Sequence, residues 1–234
     1  MDLYNYIWKR KSVRKYDMTP LGREELNQII KYADNLKPLY HDIAIEYEIV
    51  SNVKSLFKVE APHYFIISSE KEEGYLENAG FMFQQMNLFL SSIGLGSCWL
   101  GMAKPSAGFE TKLPFVIALA FGTPAEPPHR TLSGFKRKSL PDISTGEDDR
   151  IEAARLAPSS VNSQNWFFAA EDGKIDVYQK KTIFAKFNEN LNKIDMGIAL
   201  CHLYLATEHF GKEFVFSKEA EKEKKGYTYT GTVQ

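Results

Sequence analysis

The residues whose chemistry stands out first are basic. The stretch KRKSVRKYD, Lys9–Asp17, holds five Lys or Arg among its nine residues, although the whole chain has a formal net charge of only −1. Alternate side chains of an extended segment point to the same side, so Arg10, Ser12 and Arg14 would present two guanidinium groups and a hydroxyl together. Guanidinium groups bind phosphate oxygens bidentately, and a hydroxyl adds a further donor. The segment predicts a phosphate clamp, with a solvated run of surface charge as the alternative.

A second basic run repeats the same four letters, KRKS, at Lys136–Ser139. It continues into Leu140 and lacks the final arginine of the first run. Arg137 and Lys138 are candidates for additional phosphate donors. A solvent-exposed charge run is the stronger alternative at this position.

A polar run, APSSVNSQNW at Ala157–Trp166, separates an apolar helix pattern from an apolar strand pattern. Its hydroxyl and amide side chains supply hydrogen-bond donors and acceptors in quick succession, which suits the rim of a heteroaromatic ring. The candidates are Ser159, Ser160, Asn162 and Gln164. A Ser/Asn-rich turn between a helix and a strand is the alternative.

The glycine-rich run GLGSCWLG, Gly94–Gly101, does not fit a dinucleotide-binding fingerprint. Trp99 stands where that fingerprint needs its third glycine, and the run follows a helix instead of a strand. Its glycines can still bring the backbone close to a flat ligand. Cys98 has no histidine near it in sequence, and the five histidines lack metal-ligand spacing. We therefore predict neither a cysteine nucleophile nor a metal site.

Composition narrows the class of protein. The pI is near 6.5, which argues against general nucleic-acid binding and leaves the basic runs to serve a local anion. The two cysteines, Cys98 and Cys201, are too few for a disulfide scaffold. The N-terminal residues lack the apolar core of a signal peptide, and no uninterrupted apolar stretch is long enough to span a membrane. These features predict a soluble cytoplasmic protein.

Hydrophobic periodicity predicts an α+β fold. Thr19 and Pro20 would begin the first helix as N-cap and first helical residue. Predicted strands cover 43–50, 63–69, 115–122, 166–171, 174–179 and 227–232, and predicted helices cover 75–94, 148–157 and 190–211. The Pro-rich stretch 123–130 is the best linker candidate.

The element order recurs in the second half. Asn78-Ala79-Gly80 in one long helix matches Asp195-Met196-Gly197 in the other, with an offset of 117 residues. Gly94 and Gly211, which follow these helices, have the same offset. The sequence predicts two degenerate half-repeats, 1–127 and 128–234, forming one compact unit. Chance echoes within an α+β chain are the alternative.

Taken together, these motifs resemble those of the nitroreductase family of flavoenzymes. The matching stretches are RKSVRKYD, APSSVNSQNWFF, LGLGSCWLG, VIALAFGTP and KRKSLPDI. The resemblance implies a nitroreductase-like α+β fold with a central antiparallel or mixed sheet and long buried helices. It also implies FMN as cofactor and hydride transfer from NADH or NADPH through flavin N5 to a small acceptor, such as a nitro compound or a quinone. In that family the basic strand holds the FMN phosphate, and a PSSxNSQPW segment contacts the flavin from the partner subunit of a homodimer.

This chain departs from the family pattern, because its polar motif follows the basic strand by more than one hundred residues. Each half keeps the motif that the other has lost, which predicts a single-chain pseudo-dimer with one composite site. Asn165 replaces the proline of the family motif. The resemblance implies that the phosphate ligands are Arg10, Lys11, Ser12 and Arg14, with Arg137 and Lys138 in support. It implies flavin contacts from Trp99, Leu100, Gly101, Ser159, Ser160, Asn162 and Gln164.

No catalytic acid or base is predicted, since the cofactor performs the difficult step in such enzymes. The expected partner is a small-molecule acceptor, with no nucleic acid and no membrane. A monomer is expected, and further dimerisation stays open. The main alternative is a flavin-binding or flavin-sequestering protein without catalysis, and another is an interaction module that has lost the flavin.

Overall fold

The computed structural model describes residues 2–55, 59–181, 185–218 and 222–234, except for the side chains of 185–187. The chain has an α+β fold in which two long helices pack between separate sheets. The first half contributes a four-stranded antiparallel sheet of order β1-β3-β6-β4 and a two-stranded ribbon of β2 with β5. Its elements are α1 (Tyr4–Ile7), α2 (Arg23–Ala33), β1 (Ile45–Val50), β2 (Lys54–Ser55), β3 (His63–Ser69), α3 (Tyr75–Ser92), β4 (Gly96–Leu100), β5 (Ala103–Lys104) and β6 (Phe115–Gly122).

The second half contributes a mixed five-stranded sheet of order β10-β11-β9-β8-β7, in which only the β7–β8 pair is parallel among the described residues. Its elements are α4 (Leu140–Ile143), β7 (Ser144–Thr145), α5 (Arg150–Arg155), β8 (Trp166–Glu171), β9 (Lys174–Lys180), α6 (Ala185–His209), β10 (Phe216–Ser217) and β11 (Tyr227–Val233). Short 3-10 turns cover Leu132–Gly134 and Ser160–Asn162. The chain thus has several sheets, where the sequence predicted one central sheet.

Most predicted elements are confirmed. Strands β3, β6 and β8 occupy their predicted ranges, and β3 and β6 are the two interior strands of their sheet. Asp172 and Gly173 both adopt positive φ, which closes the β8–β9 hairpin. Strand β4 was not predicted, because Gly96 and Ser97 carry little strand propensity.

Two local predictions were wrong. Helix α2 begins at Arg23, not near Thr19, because the Glu25 carboxylate accepts the Gly22 N–H at 3.0 Å and caps the helix there. The stretch 123–130 is not a free linker. It lies along the basic segment, where Asp17 N donates to the Thr123 carbonyl and Arg130 N donates to the Lys9 carbonyl.

The two long helices, α3 and α6, cross at a pair of glycines. A Cβ on Gly80 would lie 2.2 Å from the Ile194 carbonyl oxygen, and a Cβ on Gly197 would lie 1.9 Å from the Glu77 carbonyl oxygen. The contact is reciprocal, since an offset of 117 residues converts Gly80 into Gly197 and Glu77 into Ile194. Only glycine lets the two backbones approach this closely.

The hydrophobic core is continuous across both halves. Buried side chains of α3, such as Phe83 and Met86, belong to the same cluster as Leu203 of α6 and Phe168 of β8. A hydrogen bond of 2.9 Å joins Gln84 to His202 within this core. None of the described helices is long and apolar enough to cross a membrane.

Alanine at Gly80 or Gly197 should destabilise the protein, because the added methyl group forces α3 and α6 apart. We expect the free energy of unfolding in urea to fall by roughly 1–3 kcal/mol for each variant, as for other overpacked cores. Gly134→Ala is the control, since its Cβ would meet only the flexible Arg130 side chain at 3.4 Å. Equal stability of all three variants would contradict this view of the helix crossing.

Candidate functional site

The basic N-terminal segment is held against strand β4 by backbone contacts. Val13 N donates to the Ser97 carbonyl at 3.0 Å, and Ser12 pairs with Ser97 in a parallel bridge. A Cβ on Gly96 would lie 2.7 Å from the Val13 side chain. The glycine therefore makes room for Val13, and this placement leaves Ser12 and Arg14 facing a cleft.

Arg10 lies beneath this surface and is 1% exposed. Its Nη2 donates to Ser12 Oγ at 3.1 Å, while its Nε and Nη1 have no hydrogen-bond partner among the described residues. Burial, together with the neighbouring Arg130 and Arg137 guanidinium groups, lowers the pKa of Arg10 to about 9. Burying a cation with unpaired N–H groups costs free energy unless an anion accepts hydrogen bonds from those groups.

Arg130, which the sequence analysis missed, joins this cluster through the Pro-rich stretch. Its Nε donates to the Arg10 carbonyl at 3.0 Å, and its guanidinium stacks on Phe135. Burial and the charge of Arg14 lower the pKa of Arg130. Arg137 Nε is likewise buried without a partner among the described residues. No carboxylate is among the causes of the pKa shifts of Arg10, Arg130 or Arg137.

These cations surround a cleft of about 550 Å³, called here the cationic cleft. Its walls come from the basic segment, the 130–137 stretch and the polar loop. The lining side chains include Lys11, Ser12, Arg14, Arg130, Lys136, Arg137, Ser159 and Asn162. Lys11 also forms an ion pair of 3.3 Å with Glu126, whereas Arg14 is exposed. The arrangement suits a phosphate group.

The polar loop, residues 157–166, has an unusual backbone. Val161, Asn162 and Gln164 all have positive φ, with values of 46°, 56° and 48°. Positive φ is rare for a β-branched residue such as Val161, whose side chain is 90% exposed. The loop is anchored to α6, where both carboxyl oxygens of Asp195 accept the Ser160 N–H.

The second basic run clamps this loop from outside. Arg137 Nη1 donates to Asn162 Oδ1 at 2.6 Å, and Asn162 Nδ2 donates to the Lys136 carbonyl. Lys138 Nζ donates to the carbonyls of Ser163 and Gln164 at 2.8 and 3.0 Å. The Gln164 side chain accepts the Lys138 N–H at 2.7 Å.

The structure therefore gives Lys138 and Gln164 a role that the sequence did not predict. The Lys138 ammonium is occupied by loop carbonyls, and the buried Gln164 amide bonds the backbone of Lys138 and Asn162. Neither residue lines the clefts described here. They shape the loop instead of presenting groups to a ligand.

A larger, mostly apolar cleft of about 740 Å³ opens beside the cationic one, and it is called here the apolar cleft. The two clefts share Ser12, Arg14, Pro158, Ser159 and Val161. Further lining residues come from β4 and the turn after it, the polar loop and α6, and include Trp99, Leu100, Gly101, Met102, Ser160, Leu191 and Asp195. Residues of both halves thus line each cleft.

Trp99 is fixed in this cleft by a buried hydrogen-bond chain that links the two halves. Its Nε1 donates to Gln84 Oε1 at 3.2 Å, and Gln84 Nε2 contacts His202 Nε2. Burial lowers the pKa of His202 to about 3, so its ring is neutral, and its Nδ1 donates to the Ala153 carbonyl at 2.8 Å. These hydrogen bonds orient the Trp99 indole so that it forms part of the cleft wall.

The structure brings together most of the predicted residues. Lining either cleft are Lys11, Ser12, Arg14, Trp99, Leu100, Gly101, Arg137, Ser159, Ser160 and Asn162, while Arg10 lies beneath Ser12. Arg130 and Asp195 were missed as site residues. No sequence pattern marks Arg130, which is a single arginine in the Pro-rich stretch. Asp195 could have been found, because it belongs to the triplet that matches Asn78-Ala79-Gly80.

A family model described as "Putative TM nitroreductase" matches residues 2–207, most of the 234-residue chain. The chain belongs to this nitroreductase family. None of the curated proteins matches it. The nitroreductase fold is thus confirmed for a chain whose motifs predicted it.

Solved structures agree on the fold. A Thermotoga maritima protein described as "a putative nitroreductase" matches with a TM-score of 0.69 and 24% identity, covering 100% of this chain and 92% of that one. A nitroreductase family protein from Clostridium difficile 630 matches with a TM-score of 0.51 and 16% identity, covering 63% and 99%.

Val161→Asn should stabilise the protein, because asparagine tolerates positive φ and the exposed valine side chain contributes little packing. We expect a gain of about 1 kcal/mol in the free energy of unfolding. Val161→Thr is the control, since it keeps the β-branch and should show no gain. Urea unfolding followed by circular dichroism measures both, and a loss of stability in Val161→Asn would contradict the strained-loop interpretation.

Proposed function

We propose that this protein is an FMN-dependent oxidoreductase that passes hydride from NADH or NADPH to a small acceptor such as a nitro compound or a quinone. The observation that carries the proposal is a cationic cleft that continues into an apolar one, with both lined by residues of the two halves. FMN has the matching form, with an anionic tail and a flat apolar ring. Membership of the nitroreductase family supports the same conclusion.

The residues of the cationic cleft fit the phosphate of FMN. Arg10 and Arg137 both hold buried N–H groups without partners among the described residues, and Arg14 and Arg130 add charge beside them. A phosphate dianion in the cleft would accept hydrogen bonds from the guanidinium groups that line it and would relieve their repulsion with the underlying Arg10. Ser12 lines both clefts and would bond the tail where they meet.

The residues of the apolar cleft fit the ring of FMN. Trp99, Leu100 and Gly101 would hold one side of the ring, and Ser159 and Ser160 would contact its rim from the other half. When bound, FMN supplies reversible hydride chemistry. The chain itself would position the ring, exclude water from it and leave space in the cleft for the nicotinamide donor and then the acceptor.

We infer that the chain is a fused pair of degenerate half-repeats, 1–127 and 128–234, in which one half serves as the partner of the other. The reciprocal contacts of Gly80 and Gly197 support this inference, because a two-fold interface pairs each patch with its own copy. Asn78 and Asp195 add support, since Asn78 accepts two backbone N–H groups and Asp195 accepts one, each from a loop in its own half. A site completed within one chain needs no second subunit.

The purified protein should bind one FMN per chain and oxidise NADH or NADPH when a quinone or nitroarene is supplied. Absorbance of the flavin against protein concentration gives the stoichiometry, and the fall in nicotinamide absorbance gives the activity. A protein without affinity for FMN would exclude the proposed function. A protein that binds FMN but oxidises neither nicotinamide would be a flavin-binding protein without catalysis.

Arg14→Ala should weaken FMN binding by about 10- to 100-fold, since a charge-assisted hydrogen bond contributes about 1.5–3 kcal/mol. Fluorescence titration of the flavin-free protein measures the affinity. The affinity for riboflavin, which lacks the phosphate, should be unchanged by the substitution. Lys15→Ala is the matched control, because it removes an adjacent exposed cation that lines neither cleft. Equal losses for FMN and riboflavin would place the phosphate elsewhere.

A further inference from the structure

Asp195 is a buried carboxyl group in the wall of the apolar cleft. It is 5% exposed, and its two oxygens share a single donor, the Ser160 N–H, at 3.0 and 2.9 Å. Of the other α6 residues that line the cleft, Leu191, Ile194 and Ile198 are apolar, and the exposed Asn188 is polar. An ionised carboxylate in such surroundings would lack the donors that it needs.

The matching residue in the other half, Asn78, indicates which hydrogen bonds this position makes. Asn78 Oδ1 accepts the N–H groups of Leu39 and Tyr40 at 2.8 and 3.1 Å, and its Nδ2 donates to the Tyr40 carbonyl at 3.2 Å. Asn78 therefore both accepts and donates. Asp195 can act as a donor only when it carries a proton.

Ionisable groups on the surrounding elements do not favour the charged form of Asp195. Burial raises the pKa of Asp195 well above its ordinary value, and only the Ser160 N–H acts in the opposite direction. Arg14 on the basic segment and Cys98 on β4 line the same cleft, while Glu77 and Lys193 lie on the crossing helices α3 and α6. None of them contributes to the shift.

We propose that Asp195 is a neutral carboxylic acid that donates its O–H to a carbonyl oxygen of the ring held in the apolar cleft. Both hydrogen bonds of Asp195 among the described residues come from the Ser160 N–H, so its O–H remains available to a ligand. Flavins and quinones both carry ring carbonyls, and the proposal rests on the proposed function for the identity of the ligand. Asp195 would act as a binding residue that also keeps the polar loop in place.

The proposal predicts a pH dependence of ligand affinity. Because the ligand binds the protonated form, its affinity should fall about tenfold per pH unit above the pKa of Asp195. Asp195→Asn keeps an N–H donor and the cap on Ser160, as Asn78 does in the other half. This variant should bind FMN but lose the fall in affinity at high pH.

The experiment is a fluorescence titration of flavin-free protein with FMN at several values between about pH 5 and pH 9. Ionisable groups of FMN itself affect wild type and Asp195→Asn equally, so their effect on affinity cancels when the two proteins are compared. Asn78→Asp is the matched control, because it places a carboxyl at the equivalent position away from the cleft and should keep the wild-type profile. Asp195→Ser serves as a second neutral variant if Asp195→Asn does not fold.

A second titration separates the two sources of the carbonyl group. Menadione is added to the FMN-loaded wild type and Asp195→Asn, and binding is followed by the change in flavin absorbance. If the pH profiles of wild type and Asp195→Asn differ for FMN, the carbonyl group belongs to the flavin. If they differ only for menadione, it belongs to the acceptor. Superimposable profiles of wild type and variant with both ligands would overturn the proposal.

The pH dependence of the stability of the flavin-free protein tests whether Asp195 is protonated, and it needs no ligand. An unfolded aspartate has a pKa of about 3.9, so the folded protein holds the extra proton above that pH. The folding constant of wild type should then fall by up to about tenfold per pH unit as the pH rises from there to the folded pKa. Asp195→Asn should abolish this fall in urea unfolding.

Parallel stability profiles of wild type and variant would overturn the protonated carboxyl, whatever FMN does. A stability difference in a protein that binds neither FMN nor menadione would instead show that the proposed function is wrong. In that case the hydrogen bond from Asp195 to a ring carbonyl is also excluded, although Asp195 is confirmed to be protonated.

Discussion

The close crossing of α3 and α6 is the constraint on which the rest of the structure depends. Gly80 and Gly197 bring the two backbones into contact, so that one continuous core joins both halves. Strand β4 follows α3 and carries the basic segment, while α6 carries Asp195 and holds the polar loop. A wider separation of the helices would pull apart the two walls of the apolar cleft.

Charge at the site is organised by burial. Arg10 and Arg137 lie where water cannot solvate all their N–H groups, and no carboxylate is among the causes of their pKa shifts. Binding of an anion in the cationic cleft would therefore stabilise this end of the site. At the other end, Asp195 lies beside the apolar side chains of Leu191, Ile194 and Ile198, and no cation is among the causes of its pKa shift. The two ends favour ligands with an anionic tail and a neutral ring.

The loop that joins these ends is rigid because it is bonded on both sides. Asp195 bonds the Ser160 N–H from α6, and the run Lys136–Lys138 bonds Asn162, Ser163 and Gln164 from the other side. These bonds support the positive φ values of Val161, Asn162 and Gln164. The second basic run thus serves to position the loop, with only Arg137 reaching the cationic cleft among the candidates at 137 and 138.

The sequence by itself determined most of the elements, because local periodicity predicts helices and strands. It also placed most of its candidate site residues correctly at the clefts, because the spacing Arg-x-Ser-x-Arg sets one side of an extended segment. It also marked Gly80 and Gly197 through their matched triplets. Only the tertiary structure decided that Lys138 and Gln164 bond each other's backbone, that Arg130 enters the cluster and that Asp195 faces the cleft. Those outcomes depend on contacts between residues far apart in the chain, which no local pattern encodes.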